Sequence, residues 1–551
     1  MSKPQEREKH EYAAAARVRS LSLLQLNEDF NSQLPKYKAH DLRVYYDGTL
    51  EYYPWIFSKT LTHSSIGFPL RADVDKLIEA WEYGDDDHYN EVKQSPTNER
   101  KLEGVASSQS FNLIGTDGSV PRVDPIFPID SQEAMFEMAE VYSMALLRDE
   151  TFADIEGGVS AKSNTLISHL NGFSNKTTAP LQGGVITAKS LLRGSNPDEL
   201  EGPYVSQFLY LPFNYGNCPM NQKYVFENDY NASLDITEWK SIQDGKINGI
   251  KSLGSAKYVH TPRVLGSIVH SDPLFQFYYN AAMILNGNGI GPQGWSPSNA
   301  NASSAWTSAG PPDVLASLAH VTLGALRVAW ANKWGNMRIR PEVYAHRIEL
   351  AQNPGSLDIT RVPGLSTLNT LSSSAHMASI LTMVNTENKL INSSDNVLLK
   401  LQFPEGSPTH PTWPAGHAVV AGAAVTVLKA MIDCHDSKNN KLPWTLDVKH
   451  SVDGDNLVDY KGDATGMTLV GELNKLASNV ALGRDWAGVH YRCDGDCGIA
   501  LGEQYAITYL VDKAKEYHES HSGLFGGFTL EKFDGSLVLI RYTGVTPLGL
   551  T

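Results

Sequence analysis

Apolar residues recur at helical spacing in several segments of the chain. Residues 12–30 and 134–148 show this spacing, and Asp130 and Ser131 stand before the second segment as candidate cap residues. After Pro311 the apolar positions alternate between steps of four and three, at Val314, Leu318, Val321, Ala325 and Val328. We predict a helix in each segment, the last one with a single buried face.

Two later segments complete the pattern. Residues 418–432 are rich in alanine and glycine, which lets neighbouring helices approach closely, and we predict a central helix there. In the tail, FTLEKFDGSLVLIRY alternates apolar residues on both sides of Asp534-Gly535, which predicts a β-hairpin. Glycine, proline and aspartate interrupt any regular period between the first helices. The pattern therefore indicates a mainly α-helical protein with long loops and a catalytic core in roughly 311–512.

Composition and charge narrow the classes of function. The 551 residues are 41% hydrophobic and 19% charged, as in a globular protein. The net charge of −15 argues against nucleic acid or an anionic membrane as a partner. The N-terminal MSKPQEREKHEY lacks the apolar stretch of a secretory signal, and no run approaches the roughly 20 apolar residues that span a bilayer. We expect a soluble protein, cytoplasmic by default.

Four cysteines cannot form a disulfide scaffold in a chain of this length. Cys493 and Cys497 stand close together in CDGDC, which makes them candidates for a metal or redox pair. Free thiols or one local bridge are the simpler interpretation.

The first block with candidate chemistry is KWGNMRIRP. Lys333 and Arg340 are seven residues apart, which on one helix places both side chains on the same face. We expect Pro341 to end or bend that helix just after them. A solvated face and an anion site both fit these two residues alone.

Two more blocks follow in order. In SPTHPTWPAGHAVVAG a proline-broken loop carries His410, Trp413 and His417, and Gly416 opens the small-residue helix, whose N-terminal N–H groups can bind an anion. In GRDWAGVHYRCD, Arg484 precedes His490, and Asp494 follows His490 by one helical turn. Cations, histidines and a helix N-terminus together predict an oxyanion site.

Together the three blocks resemble the superfamily of vanadium-dependent haloperoxidases and acid phosphatases. Its signature is K-x6-R-P, P-S-G-H and S-R-x5-H-x3-D, and this chain has K-x6-R-P at 333–341, P-A-G-H at 414–417 and G-R-x5-H-x3-D at 483–494. Ala415 and Gly483 replace the two serines. Segments such as VYSMALLRDETF and DITEWKSIQDG are similar to the long algal and cyanobacterial bromoperoxidases.

The resemblance implies an all-α fold of two four-helix bundles with a small C-terminal β-hairpin. It also implies that N-terminal helices and insertions make the contacts of a large homo-oligomer. We therefore expect residues 1–310 to form an N-terminal helical and oligomerisation region. Residues 311–551 are expected to form the catalytic helical core with the hairpin, and the two parts to make one compact unit.

The resemblance also implies a vanadate cofactor and a role for each site residue. His490 is the vanadium ligand, and the vanadate oxygens are bound by four groups: Lys333, Arg340, Arg484 and the N–H of Gly416. His417 is the acid–base residue that deprotonates hydrogen peroxide, and Lys333 polarises the bound peroxide.

Three further residues have a functional and a structural interpretation. Asp272, 61 residues before Lys333, is expected to orient His417, but it could also be a helix cap. His410 matches the second histidine of the bromoperoxidases, where it supports catalysis, and a loop histidine with only a structural role is the alternative. Asp494 either braces His490 or is a solvated acid.

The implied reaction is the oxidation of bromide by hydrogen peroxide, with chloride and iodide as alternative halides. The product is a hypohalous acid equivalent that halogenates a small organic acceptor. Some algal relatives bind calcium, and the stretch 287–312 has no dense carboxylate loop that matches such a site, so the sequence leaves calcium binding open. Trp330 and Trp413 are expected to form a dry halide niche, with core packing as the alternative for Trp330.

Two other functions compete with this one. In acid phosphatases of the superfamily, the histidine that matches His490 attacks phosphorus and forms a phosphohistidine. His410, Trp413 and the resemblance along most of the chain favour the haloperoxidase. A non-catalytic protein that retains the fold is the third reading, since Ala415 lacks the usual hydroxyl.

Overall fold

The computed structural model describes residues 41–116, 127–176, 179–226, 230–249, 252–292 and 304–548. These residues contain sixteen α-helices and only short strands, which confirms the all-α prediction. The helix expected at 12–30 lies outside the described residues.

The helices of the described residues follow in chain order. They are α1 Arg71–Tyr83, α2 Asp86–Glu91, α3 Gln132–Leu147, α4 Phe152–Glu156, α5 Ala161–Asn171, α6 Ile236–Gln243, α7 Pro262–His270, α8 Gln276–Gly287, α9 Pro311–Asn336, α10 Pro341–Gln352, α11 Leu365–Ser372, α12 Ala375–Asn392, α13 Gly416–Met431, α14 Leu469–Trp486, α15 Arg492–Glu516 and α16 His518–Ser522.

The central bundle consists of α9, α13, α14 and α15, and α7 packs on the outside of α14. Its close packing depends on small residues in α13 and α15. A Cβ atom on Gly422 would lie 2.2 Å from the carbonyl oxygen of Ile499, and one on Gly502 would lie 2.1 Å from that of Val419. The alanine- and glycine-rich segment is therefore the central helix that its composition predicted.

A second group of helices surrounds α3, which contacts α5, α10, α11 and α12. Every residue of α3 from Ala134 to Leu147 is buried, and Ser131 caps the helix by accepting a hydrogen bond from the N–H of Ala134. α3 also packs on α14, and the hydrophobic core is continuous across residue 310. The division of the chain at that residue stays a prediction.

The strands pair in four small antiparallel sheets. They are β1 Tyr45–Tyr46, β2 Glu51–Tyr52, β3 Phe213–Tyr215, β4 Cys218–Met220, β5 Lys449–His450, β6 Val458–Asp459, β7 Phe528–Glu531, β8 Leu537–Arg541 and β9 Gly544–Pro547. The predicted hairpin is β7–β8, and Gly535 in its turn has a φ of +81°. The sequence did not indicate β9, because this four-residue edge strand is largely exposed and has no apolar alternation.

Lys333 and Arg340 do not share a helix, and this expectation was wrong. α9 ends at Asn336, where Met337 adopts a left-handed conformation with φ 50° and caps the carbonyl of Lys333. Arg340 is extended, with φ −81° and ψ 157°, and is the N-cap of α10. Pro341 disfavours helical dihedrals in the residue before it and fits the first position of a helix, so it begins α10 instead of ending α9.

Among the described helices, α9 alone is long and apolar enough to cross a membrane. It packs against α13, α15 and α8. In this structure α9 is a core helix of the bundle.

Candidate active site

A cavity of about 370 Å³ opens beside the N-terminus of α13. Seven of the residues singled out in the sequence line it: Asp272, Trp330, His410, Gly416, His417, Arg484 and His490. Lys333 and Arg340 are fully buried next to this lining. The structure thus brings together all three sequence blocks and Asp272, which comes from the loop after α7.

The ring of His490 is fixed through both nitrogens. Its Nδ1 lies 2.9 Å from Oδ2 of Asp494, and its Nε2 lies 3.0 Å from Nη1 of Arg340. Because a carboxylate only accepts and a guanidinium only donates, the proton is on Nδ1 and the lone pair is on Nε2. Burial, followed by the charges of Arg340 and Lys333, holds the pKa of His490 well below its usual value. His490 is therefore a neutral imidazole suited to ligate a metal.

Asp494 is a buried brace and not a solvated acid. Its Oδ1 accepts from Nη1 of Arg338 at 2.9 Å, and its Oδ2 accepts from Oγ1 of Thr412 at 2.5 Å. Oδ2 also accepts from the N–H of Tyr491 at 3.1 Å. These donors hold the carboxylate in the orientation that binds Nδ1 of His490.

Lys333, Arg340 and Arg484 are three buried cations close to His490. Lys333 Nζ donates to the carbonyls of Pro411 and Thr412 at 3.0 and 2.9 Å. Burial lowers the pKa of Lys333 well below its usual value, with Arg340 next in effect, and burial lowers the pKa of Arg340 to about 10. Burial also lowers the pKa of Arg484. Such crowded cations favour a bound anion.

Two further features fit an oxyanion. The Nε of Arg484 is buried and has no hydrogen-bond partner in the described part of the chain. α13 begins at Gly416 without a side-chain cap, since its N-cap is Ala415, so its first N–H groups remain available. A Cβ on Gly416 would lie 3.1 Å from Cζ3 of Trp330, which favours glycine there. These donors suit vanadate as they would other tetrahedral oxyanions.

A histidine–aspartate pair stands at the same cavity. His417 Nε2 lies 3.0 Å from Oδ1 of Asp272. Asp272 is buried, whereas a fifth of the His417 side chain, 21%, is exposed. Asp272 does not cap the next helix, because Phe275 is the N-cap of α8. The pair has the geometry of an acid–base histidine oriented by a carboxylate.

The chain is similar to known proteins over most of its length. Residues 382–520 match the family model of the VCPO second helical-bundle domain. The vanadium-dependent bromoperoxidase of Corallina officinalis is 29% identical over 493 residues, which is 80% of each chain. That of Ascophyllum nodosum is 29% identical over 485 residues, 81% of each chain. The chain is thus similar to vanadium-dependent bromoperoxidases over about four fifths of its length.

A solved structure extends the likeness of the fold. The homohexameric second vanadate-dependent bromoperoxidase of Ascophyllum nodosum superposes with a TM-score of 0.82. Its sequence is 22% identical, and the match covers 99% of this chain and 92% of that one. The two chains therefore share their helical fold over most of their length.

His410 is built into the candidate site of this chain through its backbone as well as its ring. Its carbonyl accepts from Nη2 of Arg340 at 2.7 Å, and its Nδ1 lies 3.0 Å from the same nitrogen. The ring is tilted against Trp330 with centroids 4.8 Å apart. Burial, then the charge of Lys333, holds the pKa of His410 well below its usual value.

The two tryptophans do not form a joint niche. Trp330 is half-buried and lines the cavity. Trp413 is buried, and it is not among the lining residues within the described part of the chain. The apolar wall at the cavity consists instead of Trp330 with Leu274 and Leu326.

Sequence reasoning missed several residues that hold the site. Arg338 and Thr412 bind Asp494. Arg338 lies in the first sequence block and Thr412 in the second, so both could have been noticed as polar residues next to the motifs. Lys59 is fully buried, lies 3.1 Å from Oε1 of Glu342 and donates to Oγ of Ser407 at 2.8 Å. This contact fixes the loop before His410 from 348 residues away, and no local pattern signals it.

Gly483 and the cysteines have structural explanations. A Cβ on Gly483 would lie 2.9 Å from Cγ2 of Val269, because α7 packs tightly on α14. Cys493 and Cys497 are free thiols, and Cys493 accepts from Nη1 of Arg338 at 2.8 Å. The described residues contain no cluster of three or more metal-ligating side chains. The local bridge is therefore not formed, and the metal pair gains no support.

Proposed function

We propose that this chain is a vanadate-dependent haloperoxidase. It uses hydrogen peroxide to oxidise bromide, and in the same way chloride or iodide, to a hypohalous acid equivalent that halogenates small organic acceptors. The observation that carries the proposal is the neutral His490, whose Nε2 lone pair faces three buried cations. A neutral imidazole beside crowded positive charge suits a metal oxyanion.

Vanadate fits the residues present. His490 Nε2 is the ligand, and Lys333, Arg340, Arg484 and the N–H of Gly416 bind the oxygens. The unpaired Nε of Arg484 supports this assignment, because a buried donor without a partner is costly. When vanadate is bound, its vanadium acts as a Lewis acid that activates peroxide, and the oxidation state of vanadium does not change.

The chain's own residues handle the protons. Asp272 accepts from Nε2 of His417, which leaves Nδ1 of His417 as the base that takes a proton from hydrogen peroxide. Two of the three Lys333 N–H groups are donated to carbonyls, and the third remains to polarise a substrate oxygen. His410 orients Arg340 through its carbonyl and Nδ1.

We further propose that the chain assembles as a homo-oligomer. The solved bromoperoxidase that shares its fold is described as homohexameric. The subunit number of this chain can be measured by sedimentation.

One paired assay tests the function. The protein, loaded with orthovanadate, should retain one vanadium per chain and brominate a phenolic dye only when bromide and peroxide are both present. The same preparation should release little nitrophenol from nitrophenyl phosphate. Phosphate-ester hydrolysis without halide oxidation would instead support the phosphatase. Neither reaction, with no vanadium retained, would support the non-catalytic alternative.

A further inference from the structure

A second histidine–carboxylate pair lines the cavity, separate from His417 and Asp272. His270, the last residue of α7, has its Nε2 2.9 Å from Oε1 of Glu405. Glu405 lies on the loop that leads to His410. Both side chains are mostly buried, with 18% and 13% exposed. Neither residue belongs to the three sequence blocks.

The other ring nitrogen of His270 points to the oxyanion site. Its Nδ1 lies 3.3 Å from Nη1 of Arg484. Arginine only donates and glutamate only accepts, so Nδ1 carries the lone pair and Nε2 carries the proton. Glu405 therefore selects the ring tautomer that can accept from Arg484, as carboxylates do for metal-ligating histidines.

One further contact makes His270 a defined anchor. Its ring stacks on Phe403 with centroids 3.8 Å apart and planes 14° apart, which fixes the ring plane. Within the described residues, Nδ1 of His270 is the one acceptor within hydrogen-bond distance of the Arg484 guanidinium. Lys333 is anchored on backbone carbonyls, and Arg340 is anchored on carbonyls as well as on the rings of His410 and His490. Arg484 thus differs from both, because no backbone carbonyl is among its hydrogen-bond partners in the described part of the chain.

We infer that His270, with its tautomer set by Glu405, is a positioning residue for Arg484. The inference rests on the proposed function, in which Arg484 binds an oxygen of vanadate. An arginine already held in place loses less conformational freedom on binding, so the oxyanion binds more tightly. His270 acts through Arg484 and does not need to touch the oxyanion.

Two substitutions separate the two ring nitrogens. In His270→Asn the amide oxygen can stand near the position of Nδ1 and accept from Arg484. In His270→Gln the longer amide reaches toward Glu405 and leaves no acceptor near Nδ1. We expect calorimetric affinity for orthovanadate to fall by about tenfold or more in His270→Gln, the scale seen when a partner that orients a binding side chain is lost, and to remain near the parent value in His270→Asn.

A double-mutant cycle distinguishes positioning from general damage. In an Arg484→Ala background, His270→Gln should cause no further loss of affinity, because the group that it positions is gone. Inorganic phosphate serves as a second probe that requires no turnover. Thermal unfolding of each variant shows whether it has folded.

The outcomes are distinct. Parent-like affinity in His270→Gln, equal losses in both variants, or a loss that persists without Arg484 would each overturn the positioning role. If the unsubstituted protein binds orthovanadate but does not oxidise halide, the proposed function is contradicted. The positioning role of His270 would then still be decided by the orthovanadate affinities of the variants. A parent that binds neither oxyanion would overturn both.

Discussion

Nδ1 of His490 lies 2.9 Å from Oδ2 of Asp494, one helical turn later at the start of α15. The contact fixes the imidazole so that its Nε2 lone pair faces the cations. Because Asp494 also binds Arg338 and Thr412, a single carboxylate connects the segment of His490 to the link between α9 and α10 and to the loop after His410.

Asp494→Asn should weaken vanadate binding by about 10–100-fold, the range found when a carboxylate that holds a metal-ligating histidine is replaced. The amide keeps the shape but can donate to Nδ1, which would move the proton to Nε2. Equilibrium dialysis with vanadium analysis measures the effect. Asp272→Asn is the matched control, since it should lower turnover more than affinity. Equal affinity losses in the two variants would contradict separate roles.

His490→Ala should abolish vanadate retention and activity, because the remaining contacts to the oxyanion are hydrogen bonds and charges. His417→Ala should bind vanadate but turn over slowly, with a loss of about 10²–10⁴-fold as for other general bases. Vanadium content after gel filtration and bromination rates separate the two cases. Full activity with bound vanadium in His490→Ala would overturn the assignment of the ligand.

Ala415→Ser should strengthen vanadate binding by about 1.5–3 kcal/mol if the hydroxyl reaches a charged oxygen. Ala415 is the buried N-cap of α13, so serine could instead accept from the free N–H groups of that helix. In that case the unfolding free energy of the vanadate-free protein would rise by about 1 kcal/mol with no gain in affinity. Titration calorimetry and denaturant unfolding distinguish these outcomes.

Buried neutral histidines should make stability depend on pH. The pKa of His410 is lowered on folding, so below about pH 6.5 the unfolded chain binds a proton that the folded chain does not. The unfolding free energy therefore falls as pH drops from about 6.5 toward the folded pKa, by up to about 1.4 kcal/mol per pH unit for one histidine.

The matched variant isolates this effect. Burial raises the pKa of Asp496 and of Glu199 to about 7, and these carboxyls act with the opposite sign. The unsubstituted protein is therefore compared with His410→Asn. Between about pH 6.5 and 5.5, the unfolding free energy should fall less in His410→Asn than in the unsubstituted protein. Parallel curves from urea unfolding would show that His410 is protonated equally in both states.

The sequence predicted the parts of this protein that depend on local pattern. Ser131, the small residues of α13 and the Asp534-Gly535 turn were recognised because each acts within a few residues of its own position. The break between Lys333 and Arg340 was missed, since seven residues fit a continuous helix as well as a broken one. The contact between Lys59 and Ser407 was also missed, because only tertiary packing joins them.

The last prediction concerns the choice of halide. Trp330 lines the cavity, its ring lies 5.9 Å from Nζ of Lys333, and its indole donates to the carbonyl of Glu103 at 3.2 Å. Trp330→Arg would replace an apolar wall by a cation and admit water. We expect a changed KM for bromide, or a changed bromide-to-chloride ratio, while vanadate binding persists.

Trp330→Phe provides the matched control for this substitution. Phenylalanine keeps the apolar wall but removes the hydrogen bond to Glu103, so it should retain the halide constants of the parent if apolarity governs halide choice. If the halide constants change in both variants, the hydrogen bond from Trp330 to the carbonyl of Glu103, and not the apolar wall, governs halide choice. If Trp330→Arg keeps the parent's constants for both halides, Trp330 contributes packing alone, and halide selection depends on other residues of the cavity.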